Sequence, residues 1–101
     1  MRILVMFDLP AETVDQRREY RKFRKYLIRQ GFFMLQESNY CRMVPNSAAG
    51  ENVISGLRRN KPPAGSVQIL KVTEKQFSKM EYLVGEAANS VISDDRRLVI
   101  L

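Results

Sequence analysis

Asp8 is the one acid that the sequence sets at the end of a buried strand. It closes the run Arg2-Ile3-Leu4-Val5-Met6-Phe7 and is followed at once by Leu9 and Pro10. The run is nearly continuous in apolar residues, the pattern of a strand covered on both faces. Proline donates no ladder hydrogen bond and pushes the residue before it into an extended conformation, so the strand is expected to stop at Asp8 or Leu9. A carboxylate at such a rim is costly unless it is solvated, paired or bound to a metal. Two readings follow: a turn acid that hydrogen-bonds the residues after it, or a metal ligand. A single carboxylate makes a poor magnesium site. Two copies facing each other across a two-fold axis make a better one, because an isologous interface doubles any residue lying on it.

Other catalytic equipment is sparse. The chain has no histidine, which removes the usual general base and the usual zinc ligand. Cys41 is the only cysteine; it has no disulfide partner and reads as a small apolar packer. No Gly-rich phosphate loop is present, and the serines and threonines have no evident activating base. Asp94-Asp95 is followed by Arg96-Arg97, which suits local charge pairing. Any chemistry must run on carboxylates, hydroxyls, cations or a hard metal such as magnesium.

The second feature is charge. The chain carries a formal +6, which points to an anionic partner, nucleic acid being the commonest. Arg17, Arg18, Arg21, Lys22, Arg24, Lys25 and Arg29 fall within about 160° of arc at helical periodicity. Such a run is often just a solvated helix face. Here it is almost wholly of one sign, and like charges four residues apart repel. Bound phosphates would relieve that repulsion. Arg58, Arg59 and Lys61 form a second group of cations. Base-specific readout is not indicated, because no RNA-recognition signature lies on the strands. No segment pairs a basic face with a lipid-ready apolar one, and no run reaches membrane-spanning length or resembles a signal segment. The expectation is a cytoplasmic protein without a membrane partner.

These residues need elements to hold them. Thr13-Val14-Asp15-Gln16 is a capping box that starts a helix near Val14, running to Gln30 and ending at Gly31. Tyr20, Phe23, Tyr26 and Leu27 share its apolar face, while Ile28 falls unexplained in the basic arc. Phe32 to Gln36 reads as a strand that continues through Tyr40 to Val44, with a bulge or bend near Ser38-Asn39. Pro45-Asn46-Ser47 opens a second helix to about Arg59, and Pro62-Pro63-Ala64-Gly65 stops it. Val67 to Val72 is a strand, Thr73-Glu74-Lys75-Gln76 caps a short helical turn, and Met80 to Val84 reads as a further strand. After a polar stretch comes the apolar end Leu98-Val99-Ile100-Leu101. Four such residues suit a strand added to an exposed sheet edge, the chain's own or a partner's. The order fits an α+β, ferredoxin-like split β-α-β sandwich, with helices on one face of a mostly antiparallel sheet. At 101 residues there is one core. The expected division is a domain over 1–85 and a C-terminal loop and strand over 86–101.

The ordered set Phe7-Asp8-Leu9-Pro10, Arg17-Arg18-Glu19-Tyr20-Arg21-Lys22-Phe23-Arg24-Lys25-Tyr26-Leu27, Gly31-Phe32, Gln36-x-Ser38-x-Tyr40, Thr73-Glu74-Lys75-Gln76-Phe77 and Arg97-Leu98-Val99-Ile100-Leu101 resembles the small CRISPR-associated nuclease family Cas2. The Thr-Glu-Lys-Gln-Phe segment and the apolar end look most like members from type II systems. Asn39 stands where the family more often has an apolar residue. The resemblance implies a ferredoxin-like homodimer in which Leu98, Val99, Ile100 and Leu101 complete the partner's sheet. It implies that Asp8 faces its symmetry mate, binds magnesium (Mg2+) and is the catalytic residue. It also implies a partner, the Cas1 integrase of spacer acquisition. Two functions are compatible with it. One is a metal-dependent endonuclease acting on RNA or double-stranded DNA. The other is a non-catalytic dimeric scaffold that holds spacer-precursor duplex and bridges integrase subunits.

Overall fold

The computed structural model describes residues 1–86. Four strands form one sheet: β1 (Arg2–Asp8), β2 (Phe33–Gln36), β3 (Asn39–Met43) and β4 (Ser66–Val72). Their spatial order is β2-β3-β1-β4, and every pairing is antiparallel. β1 is therefore internal, and its near-continuous apolar run is buried as expected. The fold class is the α+β, ferredoxin-like one.

Two helices cover one face of this sheet. α1 (Val14–Arg29) begins at the Thr13 capping box, in which Thr13 and Gln16 each accept a hydrogen bond from the other's backbone N–H, both at 3.0 Å. It ends in a Schellman turn: Gly31, at φ +88, lets the N–H of Phe32 reach the carbonyl of Leu27 at 3.0 Å. Leu27 and Phe32 then meet in the core. α2 (Ser47–Arg59) is capped by Asn46, whose side chain accepts from the N–H of Ala49. The core joins Ile3, Val5 and Phe7 of β1 to Phe23 and Leu27 of α1, Ile54 and Leu57 of α2, and Phe32, Tyr40 and Val44. Phe7 is its aromatic hub, edge-on to Phe23 with centroids 5.3 Å apart and stacked on Tyr40 at 5.7 Å.

The second face holds the alternate residues of β1, namely Arg2, Leu4, Met6 and Asp8. A short helix, α3 (Glu74–Ser78), lies on this side, so the two-helix layer on the first face is not the whole helical content. Arg2 fixes it there. Its Nε donates to both carboxylate oxygens of Glu74, at 3.1 and 2.9 Å, and its guanidinium lies 4.0 Å from the centre of the Phe77 ring.

Two expectations are corrected. The long strand from Phe32 to Val44 is a hairpin: Glu37 and Ser38 make the turn, Ser38 sits at φ 62, and the ladder shifts register between Met34 and Gln36. Met80 to Val84 forms no strand among the described residues. It has the composition of one but no ladder partner, and Leu83 and Val84 are each 92% exposed. The segment instead lies beside Leu35, Gln36 and Asn39. The run Leu98-Val99-Ile100-Leu101, expected at a sheet edge, lies outside the described residues, as do Asp94 to Arg97.

Candidate active site and nucleic-acid interface

Asp8 is the last residue of β1 and one step beyond Phe7, so the aromatic hub anchors the backbone that presents it. Its carboxylate is exposed, and among the described residues it accepts no hydrogen bond and joins no ion pair. A turn acid would hydrogen-bond the N–H groups after it, and this one does not. Two close contacts hold its surroundings. The N–H of Phe7 donates to the carbonyl of Ser38 at 3.0 Å, which pins the hairpin turn to β1. Gly65, at φ +94, passes so near that a Cβ there would lie 2.8 Å from the Asp8 carbonyl oxygen.

Asp8 lines an open depression of about 350 Å³ together with Met6, Phe7, Gln36, Glu37, Ser38, Asn39, Ser66 and Gln68. Its polar groups are carboxylates, hydroxyls and amides, with no thiol or imidazole. Oδ1 of Asn39, one of the lining residues, is buried and without a hydrogen-bond partner among the described residues. Among the described residues no three acids, cysteines or histidines gather closely enough to hold a metal ion. The oxygen donors of this lining are of the kind that a hard cation such as magnesium accepts.

The basic residues lie elsewhere. All seven cations of α1 are exposed, but they differ in what they hold. Arg17 donates to the backbone carbonyl of Glu12 at 2.9 Å, Arg18 pairs with Asp15 at 2.8 Å, and Arg24 donates to the Tyr40 hydroxyl at 3.0 Å. Arg21, Lys22, Lys25 and Arg29 have no such partner among the described residues. With Arg18 they line one shallow groove along the outer side of the helix. None of the seven lines the Asp8 depression. Arg58 and Arg59, at the end of α2, and Lys61 beyond it are exposed as well.

The pattern of the family described as "CRISPR associated protein Cas2" matches residues 1–80. The chain belongs to the Cas2 family. A relative from Treponema denticola, named CRISPR-associated endoribonuclease Cas2, is 46% identical over 101 residues, covering 100% of both chains. One of the same name from Streptococcus mutans serotype c is 46% identical over 101 residues, covering 100% of this chain and 93% of the relative. The crystal structure of Streptococcus pyogenes Cas2 at pH 6.5 superposes with a TM-score of 0.60 at 22% identity, covering 83% of this chain and 100% of the other. That likeness supports the ferredoxin-like fold. Among the described residues of this Cas2 chain, no helix is long and apolar enough to cross a membrane.

Two features around the site were missed from the sequence. Arg2 reads there as a strand end, yet it ties α3 to the sheet. Burial alone would lower its pKa; the bonds to Glu74 and Cys41, with the Glu74 charge, hold it above the ordinary arginine value. Ser66 is the cross-strand partner of Asp8. The turn at Pro62-Pro63-Ala64-Gly65 marks where its strand begins, but antiparallel register cannot be read from one strand.

Proposed function

We propose that this Cas2 chain is a magnesium-dependent endonuclease for phosphodiester bonds of RNA or double-stranded DNA, working in the complex that acquires CRISPR spacers for antiviral defence. The observation that carries this reading is the state of Asp8: exposed, unpaired among the described residues and mounted at the end of an internal strand, in a chain without histidine. The relatives' name, endoribonuclease, supports the same activity. Asp8 would hold the ion, with oxygens of the depression around it. If bound there, magnesium would supply Lewis acidity for a phosphodiester oxygen and for water. The protein's own part is to fix the carboxylate and to hold the polyanion with its cations.

The working unit in this proposal is a homodimer in which Asp8 meets its symmetry mate. Residues 1–85 form the ferredoxin-like domain. To residues 86–101 the proposal assigns a loop and an exchanged strand, in which Leu98 to Leu101, outside the described residues, would pair with a sheet edge of the partner. β4 supports this, because it is a seven-residue edge strand with one side unpaired among the described elements. The further partners are the Cas1 integrase and nucleic acid.

A second reading, the non-catalytic scaffold, is favoured by the separation of the α1 groove from the Asp8 depression. A duplex held on the groove is not thereby delivered to Asp8. Cleavage of RNA and duplex DNA with magnesium, measured for wild type and Asp8→Ala, decides between the two. The nuclease reading expects cleavage to fall at least about 100-fold, with duplex affinity in chelator unchanged. No wild-type cleavage, or cleavage undiminished in the variant, leaves the scaffold.

A further inference from the structure

Among the described residues Asp8 has a single direct neighbour across the sheet. The β1–β3 ladder ends at Met6 opposite Asn39, whereas the β1–β4 ladder runs on to pair Asp8 with Ser66. Directly opposed residues of an antiparallel pair point to the same face, with Cβ atoms about 4.5–5.5 Å apart. Both side chains are exposed and both line the same depression. Gln68 and Asn39 stand one pair further back, opposite Met6.

The link between the two residues is also fixed. A Cβ at Gly65 would come within 2.8 Å of both the Asp8 carbonyl oxygen and Cδ2 of Leu9, and Gly65 adopts φ +94. Only glycine lets the chain close onto Asp8 at that point and deliver Ser66 opposite it. We infer that Ser66 supplies the second oxygen of the Asp8 site, its hydroxyl joining the Asp8 carboxylate in the coordination sphere of a divalent cation. The inference rests on the metal-site reading of Asp8. A hydroxyl is a hard neutral donor of the kind magnesium accepts. Being neutral, it adds nothing to the repulsion between two Asp8 carboxylates in a dimer, as a second acid would.

The test is binding of Mg2+ and Cd2+ by titration calorimetry, without nucleic acid, for wild type, Asp8→Ala, Ser66→Ala, Ser66→Thr and Ser66→Cys. Melting curves of each serve as the folding control. Asp8→Ala should lose saturable binding. Ser66→Ala should weaken Mg2+ about tenfold, and Ser66→Thr, which keeps the hydroxyl, should bind as wild type does. Ser66→Cys should shift the preference toward Cd2+ by about tenfold or more, since thiolate favours the softer ion. A merely structural serine would not move that ratio. If both Ser66→Ala and Ser66→Cys bind like wild type while Asp8→Ala does not, Ser66 is no ligand and the Asp8 reading stands. If Asp8→Ala binds as wild type does, or wild type binds neither ion, the Asp8 reading fails and this inference falls with it.

Discussion

At the scale of single residues, position in the core decides what each side chain can do. Phe7 touches Tyr20, Phe23 and Tyr40 at once and directly precedes the acid of the site. Phe7→Ala removes that hub, and the expected loss is about 3–5 kcal/mol in urea denaturation. That is a large part of the stability of a domain this size. Cys41 makes a different case. It is fully buried beneath Arg2, and burial pushes its thiol above the ordinary value of 9.0, partly offset by the Arg2 hydrogen bond. The native protein should resist a thiol reagent at pH 8 and react in denaturant. The linked effect on stability has a definite sign. With the folded value raised, the contribution is complete below the unfolded thiol's pKa and is lost as pH rises through the folded one. Stability should therefore fall more steeply between pH 8 and pH 10 in wild type than in Cys41→Ala. Parallel pH profiles for the two would show that the thiol is not perturbed.

At the scale of elements, α1 separates what periodicity can read from what it cannot. Its start, its end and its apolar face were legible because a capping box, a glycine and a 3.6-residue repeat are local signals. Which of its cations are free was not legible. Arg24 meets Tyr40, sixteen residues away on β3, and no helical wheel contains that contact. The hairpin at Glu37 and Ser38 stayed hidden for a related reason. Its left-handed residue is a serine rather than the glycine or asparagine that marks such turns. The Ser66 partner of Asp8 depends on register, which only the folded sheet sets. The free cations give a sharper prediction than the whole arc does. Removing charge at Arg21, Lys22, Lys25 or Arg29 should lower the slope of log affinity against log salt by about 0.9 for each duplex phosphate no longer neutralised. Arg24→Gln should change the slope less, because that side chain is engaged with Tyr40. Fluorescence anisotropy with two unrelated duplexes at several salt concentrations measures both. Equal slopes for all variants would mean that the groove is only a solvated face.

At the scale of the whole molecule, the two faces of the sheet are unequally covered. α1 and α2 close the first over Ile3, Val5 and Phe7. Among the described residues the second has only α3 and the segment 79–86, and by alternation it carries Leu70 opposite Leu4 and Met43 opposite Arg2. Leu70 remains 51% exposed and Met43 59%, on the same face as Asp8. Large apolar side chains grouped on an open face mark an interaction surface. An isologous contact there would bury both residues twice and double Asp8 on one interface. Charge opposes it: each chain carries +6, and the two Asp8 carboxylates would repel at close range. Moderate salt should therefore strengthen the dimer by screening the long-range term, and Asp8→Asn should strengthen it further in metal-free buffer. Leu70→Glu tests the face itself. The side chain is half exposed, so its replacement should cost the monomer little, while two glutamates in an apolar interface would be severely unfavourable. Sedimentation should show wild type as a dimer and Leu70→Glu as a folded monomer, with far-ultraviolet circular dichroism unchanged. The monomer should also bind long duplex with a smaller salt slope, since it offers one α1 groove instead of two. A Leu70→Glu protein that still sediments as a dimer would move the interface off this face and leave the sheet's two unpaired edges, β4 and β2, as the candidates among the described elements.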